Sequence, residues 1–272
     1  MSARVLHDGR IRLWLEPDDR GLAYGDGVFE TLLVDQGQPV WWHEHWQRLL
    51  QGAQALGLPF PEQAPVRREC ENLLAETTSA VLKIILTRGS GGRGYAAPAD
   101  PVPTVIVSSH ALPPIQRTPV TLRWCQTTLA MQPALAGIKH LNRLEQVLAR
   151  AEWSDPDIFD GLMCDGEDRV VSATSANLFA LVGGRWLTPG VARCGIAGIT
   201  RAWLLANVGN AAEADLSAAE VSHAEALFLC NSVRGILPVS RLGAREWNGH
   251  EAVTCLRRQL AEAQPAFAFQ EQ

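Results

Sequence analysis

A chain of 272 residues with a net charge of −5 is long for one hydrophobic core and natural for two domains. Its 47% hydrophobic and 19% charged residues describe an ordinary globular protein, and the acidic balance gives no reason to expect nucleic acid or an anionic membrane as partner. The six cysteines (70, 125, 164, 194, 230 and 255) include no CxxC pair, which speaks for reduced thiols and against a disulfide frame or a zinc site. No stretch has the apolar length of a signal peptide or a membrane span, so the expected location is the cytoplasm.

Residues 4–15 and 28–42 read as strands around Asp8-Gly9 and Gln36-Gly37 turns. Between them, Tyr24-Gly25-Asp26-Gly27 lets the backbone turn tightly or lie close to a ligand. A helix follows with Trp46, Leu49, Leu50, Ala53 and Leu56 on one face, ended by Gly57 and Pro59. His43 and His45 form a His-x-His pair without a third ligand nearby, so no metal is expected. Arg48, one turn beyond His45, is placed either to meet an anion or to sit on the surface. Residues 64–76 form a second helix. The strand 80–88 carries Lys83 on its polar, solvated face and runs into Arg88-Gly89-Ser90-Gly91-Gly92-Arg93-Gly94-Tyr95. Its glycines, arginines and tyrosine predict a mobile loop able to close guanidinium groups over a carboxylate, a plain flexible connection being the alternative. After strand 102–107 the proline-dense segment 113–119 reads as a linker, which gives domains of residues 1–112 and 120–272.

The second domain opens with strand 120–125. A helix after Lys139 puts Leu144, Val147, Leu148 and Ala151 on one apolar face, with Asn142 as N-cap and Glu145 completing a capping box. Residues 160–171 read as a hairpin with Asp165-Gly166 at its turn, and the small hydroxyl residues 172–175 lead into a strand at Asn177. Gly195-Ile196-Ala197-Gly198-Ile199-Thr200 opens a helix with Thr200 at its N-cap, a geometry suited to a phosphate, though no P-loop pattern is present. Strand 225–229 delivers Asn231 and Ser232, which would complete that cradle, and a structural helix spans about 249–263.

Of 24 basic residues only Lys83 and Lys139 are lysines, and only an amine can lose its proton and become a nucleophile. A Schiff-base-capable Lys139, a phosphate site at a helix N-terminus and an arginine loop for a carboxylate are the parts of a pyridoxal-phosphate site acting on an amino acid. Over nearly its whole length the chain resembles the fold-type IV pyridoxal-phosphate family of branched-chain and D-amino-acid aminotransferases and 4-amino-4-deoxychorismate lyases. The resemblance rests on residues 24–31, His45-x-x-Arg48-Leu49, Arg88 to Tyr95, Lys139-His140-Leu141-Asn142-Arg143, Asn177-Leu178-Phe179, Gly198 to Arg201 and Asn231-Ser232. The Gly-Gly-Arg-Gly-Tyr loop favours the lyases over the transaminases.

That resemblance implies a two-domain α+β fold of the D-amino-acid-aminotransferase-like type. It implies a homodimer with pyridoxal 5'-phosphate at the domain interface, acting on 4-amino-4-deoxychorismate. Lys139 would hold the cofactor and serve as base, and Thr31 would assist proton transfer. Arg48, Ile199, Thr200, Asn231 and Ser232 would bind the phosphate, and Arg93 and Tyr95 a substrate carboxylate. Arg234 is added as a second carboxylate contact. One departure stands out: five residues before Asn177, where the family carries a glutamate for the pyridine nitrogen, this chain has Ser172. Asp165 and Glu167 are the alternative acids for that role.

Overall fold

The computed structural model describes residues 2–8, 10–12 and 14–270; Gly9 and Leu13, which fall within the first expected strands, lie outside the described residues. The chain divides into two compact units, Met1–Pro113 with Ile138–Asn142, and Pro114–Gly137 with Arg143–Gln272. The change of unit near Pro113 falls where the prolines begin. The expectation that Lys139 belongs to the C-terminal domain is corrected, because residues 138–142 pair their backbone with the first unit.

The first unit contains β1 (Ser2–His7), β2 (Arg10–Arg12), α1 (Arg20–Tyr24), β3 (Gly27–Asp35), β4 (Gln38–Pro39), α2 (Trp42–Ala55), α3 (Gln63–Leu74), β5 (Ala80–Thr87) and β6 (Thr104–His110). The strands form an antiparallel sheet in the order β2-β1-β6-β5-β3-β4. Alternation along β3 and β5 buries Val28, Leu32, Val34, Leu82, Ile84 and Leu86 against Trp46, Leu49 and Ala53 of α2 and Val66, Cys70 and Leu74 of α3. Burying each of the larger aliphatic side chains contributes about 1.5–3 kcal/mol.

The second unit contains β7 (Val120–Trp124), α4 (Leu144–Arg150), β8 (Asp160–Cys164), β9 (Arg169–Ala173), β10 (Asn177–Val182), β11 (Arg185–Pro189), α5 (Ile199–Asn207), β12 (Ala211–Ala214), β13 (Leu216–Ser217), α6 (Ala218–His223), β14 (Ala226–Asn231), β15 (Gly235–Leu242), β16 (Arg245–Glu246) and α7 (Glu251–Ala263). Its sheet runs β12-β11-β10-β14-β15-β7-β8-β9-β13, with β16 on β15. Phe179 and Phe228 stack at 5.0 Å inside it.

Helix α4 departs from its expected orientation. Leu144, Val147 and Leu148 are 75%, 60% and 60% exposed, whereas Ala149 is buried beside Leu129 and Met163. The helix docks through its other side, where the Glu145 carboxylate accepts from the Ala130 N–H. Nor does Asn142 cap it: the N-cap is Arg143, without a side-chain bond, and Asn142 Nδ2 donates to the Gly25 carbonyl. The capping box is therefore absent.

Candidate functional site

In the first unit the Lys139 segment lies along the start of β3. The Phe29 N–H donates to the Lys139 carbonyl at 2.9 Å and the Leu141 N–H to the Gly27 carbonyl at 3.0 Å, so the lysine is fixed from both sides. The approach requires glycine at 27, since an added Cβ would run into the Leu86 carbonyl and the Leu141 side chain. Lys139 Nζ sits 4.2 Å from the centre of the Phe29 ring. Lys83 corrects its expectation: it is half-buried, with its ammonium 5.2 Å from the same ring. The cause is register, because β5 sets Lys83 opposite Thr31, and Thr31 shares a face of β3 with Phe29. Thr31, Phe29 and both lysines thus form one patch, in which ammonium groups meet an aromatic face.

On the opposite face of β3, Glu30 occupies a core position. Its buried carboxylate accepts from His45 at 2.6 Å and from Arg48 Nε and Nη2 at 2.7 and 2.5 Å. Burial pushes the Glu30 carboxyl up, but Arg48 and His45 outweigh it and hold it at about 2. Burial pushes His45 below its ordinary 6.5; Glu30 opposes this, while the charges of Arg48 and Lys139 add to it. His45 is thus tied to Glu30, and Arg48 is oriented by it. The sequence reading missed Glu30, although a carboxylate between Val28 and Leu32 on the apolar phase of a strand calls for a buried cation.

The arginine loop also differs from expectation. Arg88 does not face a ligand: it pairs with Asp26 and donates to the Leu56 and Gly57 carbonyls. Arg93 and Tyr95 are exposed, Tyr95 by 88%. The loop backbone is tied by hydrogen bonds at several points.

In the second unit the phosphate-type features gather at the start of α5. The N-cap is Gly198, and Thr200 lies inside the first turn, because the chain stays extended through Gly198 at φ −70° and ψ 146°. With no side-chain cap, the first amides of α5 carry the positive end of the helix dipole. Thr200 Oγ1 is buried without a hydrogen-bond partner. Gly198 is required by its neighbour, since a Cβ there would strike Asn177 Oδ1. Uncapped amides and an orphaned buried hydroxyl fit a phosphate group. Asn177 braces this turn by donating to the Ile196 carbonyl at 3.0 Å.

Asn231 is a brace as well. Its Oδ1 accepts from the Val233 and Arg234 amides at 3.1 and 2.8 Å, and its Nδ2 donates to the Ser175 carbonyl. Those two amides are therefore turned inward, and Ser232 stands in the turn between Asn231 and Val233. Arg234 donates to the Pro114 carbonyl at 2.8 Å and stacks over Phe159 at 5.3 Å. Buried Asp160 accepts from Gly161, Thr174 and Ser175, a clamp on the turn before Asn177 that sequence reading did not find. Ser172, half-buried, stands opposite Met163. Asp165 is occupied by Arg169 and by the Glu167 and Arg169 amides, and exposed Glu167 pairs with Arg169. Both alternative acids are committed elsewhere.

Residues 27–242 match the family model described as amino-transferase class IV. The aminodeoxychorismate lyase of Vibrio harveyi is 35% identical over 236 residues, which is 84% of this chain and 87% of that protein. The crystal structure of 4-amino-4-deoxychorismate lyase from Pseudomonas aeruginosa matches with a TM-score of 0.89 and 43% identity, covering 96% of this chain and 99% of that one. The branched-chain amino acid aminotransferase of Escherichia coli shares the fold, with a TM-score of 0.83 at 19% identity and coverage of 95% and 93%.

Proposed function

Because the chain belongs to the amino-transferase class IV family, we propose that it is a pyridoxal-phosphate-dependent lyase converting 4-amino-4-deoxychorismate to 4-aminobenzoate and pyruvate, a step of folate synthesis. The observation that carries the reading is Lys139, one of two lysines in the chain, held by backbone bonds on both sides with its amine against Phe29. The choice of a lyase is supported by the 43% and 35% identities to lyases.

Pyridoxal phosphate, when bound, supplies an electron sink for the bonds at the carbon bearing the substrate amine. Lys139 Nζ would hold the cofactor and, as an amine, serve as base for the proton on that carbon. Thr31, on the same sheet face, assists that transfer through its hydroxyl. The Ile199 and Thr200 amides and the Thr200 hydroxyl would bind the phosphate, and Ser232 and Arg48 would add a hydroxyl and a guanidinium. Asn177 and Asn231 hold the turns in shape. Arg93 and Tyr95, and separately Arg234, meet the substrate carboxylates. Ser172 offers the ring nitrogen a neutral hydroxyl instead of a carboxylate.

The working form is a homodimer. The exposed Leu144, Val147 and Leu148 on α4 form an apolar stripe that a second copy would cover, and sedimentation at micromolar concentration reads the state directly. Among the described residues no helix is long and apolar enough to cross a membrane. Six free cysteines support a reducing compartment, for which we propose the cytoplasm.

The decisive experiment supplies 4-amino-4-deoxychorismate to the cofactor-loaded protein and follows pyruvate, with Lys139→Ala alongside. Release by the wild type and none by the variant is the expected result. No release, together with turnover of an amino acid and 2-oxoglutarate, would replace the lyase with an aminotransferase.

A further inference from the structure

The loop that carries Arg93 and Tyr95 is held by a residue outside it. Arg20, the first residue of α1, is buried, and its guanidinium is spent on another segment. Nε donates to Asp26 Oδ2 at 2.9 Å. Nη1 donates to the carbonyls of Gly94 at 3.1 Å and Ala96 at 3.2 Å, and Nη2 to that of Tyr95 at 2.9 Å. Three consecutive loop carbonyls therefore end on one side chain. The backbone adds the Arg20 N–H on the Gly89 carbonyl at 2.9 Å and the Gly91 N–H on the Asp18 carbonyl at 3.2 Å.

Tyr24, one turn along α1, completes the clamp. Its ring lies 4.9 Å from the Arg20 guanidinium, its hydroxyl accepts from the Gly94 N–H at 3.2 Å, and it meets the Tyr95 ring edge-on at 5.6 Å. Gly91 lets the loop pass close, since a Cβ there would lie 2.8 Å from Arg20 Cδ. Asp26 balances the charge of both Arg20 and Arg88. Burial raises its carboxyl, yet bonds from the two arginines hold it below the usual range. Neither arginine is therefore turned toward a ligand, and Arg93 is the exposed guanidinium of this loop.

We propose that Arg20 is the positioning residue of the substrate-carboxylate loop: by taking the carbonyls of residues 94–96, it sets the shape in which Arg93 and Tyr95 meet the substrate. The inference rests on the lyase reading above. Its physical basis is entropy. A loop with four glycines loses more backbone freedom on ordering than a glycine-free loop of its length. Ordering it before substrate arrives leaves the binding energy of the carboxylate for affinity. A planar fork of N–H donors suits three successive carbonyls, and an ammonium, although it keeps the charge toward Asp26, does not.

The test uses the full-length, cofactor-loaded protein with Arg20→Lys and the milder Tyr24→Phe, which removes only the hydroxyl on Gly94. Brief trypsin treatment, with the cut after Arg93 identified by mass, reads loop order without any substrate. Steady-state pyruvate release reads KM and kcat separately. For Arg20→Lys we expect cleavage after Arg93 at least tenfold faster than wild type, and KM raised at least tenfold with kcat within twofold. For Tyr24→Phe we expect changes of about threefold in the same direction. If Arg20→Lys does not fold, Tyr24→Phe decides by the same two readouts. An unchanged cut rate overturns the proposal, and so does faster cutting with unchanged KM or a loss confined to kcat. A wild type that releases no pyruvate fails the lyase reading instead, and the cut rate alone then decides the clamp.

Discussion

The two units hold their functional residues by opposite means. In the first, buried or half-buried carboxylates hold arginines: Glu30 with Arg48 and a neutral His45, and Asp26 with Arg20 and Arg88. In the second, the α5 cradle is made of main chain, glycine, a hydroxyl and amide side chains. A buried ion cluster is firm while complete and fails when one partner leaves. A backbone cradle has no charge to lose, so it is indifferent to pH but not to shape.

The largest break falls on the first kind of design. Glu30→Ala leaves a buried histidine and arginine without their acceptor, and should lower the unfolding free energy by about 3–5 kcal/mol. Urea unfolding measures it, and a loss below about 1 kcal/mol would show that Arg48 and His45 do not depend on the carboxylate. The second design breaks through volume. Gly198→Ala suits the local backbone but displaces Asn177, so about 1–3 kcal/mol of stability should go. Cofactor retention on dialysis should fall with it; full retention would mean that the α5 start does not bind the phosphate.

A pH series separates the two kinds of support. His45 is held below its ordinary 6.5, so the unfolded chain takes up that proton first and stability falls as pH drops through 6.5. Glu30, held at about 2 against an ordinary 4.5, adds a further loss as pH falls from 4.5 toward 2. The thermal midpoint should therefore drop between pH 7.5 and 5.5 in the wild type and less in His45→Gln, whose amide can still donate to Glu30. Equal slopes would remove His45 from the account.

The smallest expected effect comes from placing a charge at position 172. A glutamate at 172 would hold a proton on the ring nitrogen, strengthening the electron sink. Lyase turnover forms an aromatic product and needs that sink least, so Ser172→Glu should raise residual transamination relative to lysis. An unchanged ratio would leave Ser172 without a part in reaction choice.

What was legible in the sequence follows from what is local. The amphipathic face of α2, the Asp165-Gly166 hairpin turn and the glycines before α5 declare themselves within a few residues, and the structure has them. Partners distant in sequence did not. Arg20 meets residues 94–96 across more than 70 positions, and no periodicity announces that. The apolar stripe of α4 was legible as an apolar face but its exposure was not, because periodicity shows that a face needs cover and not what covers it. Lys83 was misplaced for a related reason: alternation assigns it a face, and only the pairing with Thr31 shows that the face holds Phe29 and Lys139.

The five residues Ile138–Asn142 carry a last consequence, for how the chain can be cut and made. They belong to the first unit although 24 residues of the second, Pro114–Gly137, precede them. A fragment ending at Pro113 would leave the Phe29 amide and the Gly27 carbonyl without the partners they have in the whole protein. On the ribosome, the first unit likewise stays unfinished until Asn142 has emerged. Lys139 thus lies in the piece that closes the N-terminal fold, and a gene split at the prolines, where the sequence invites it, would yield two incomplete halves.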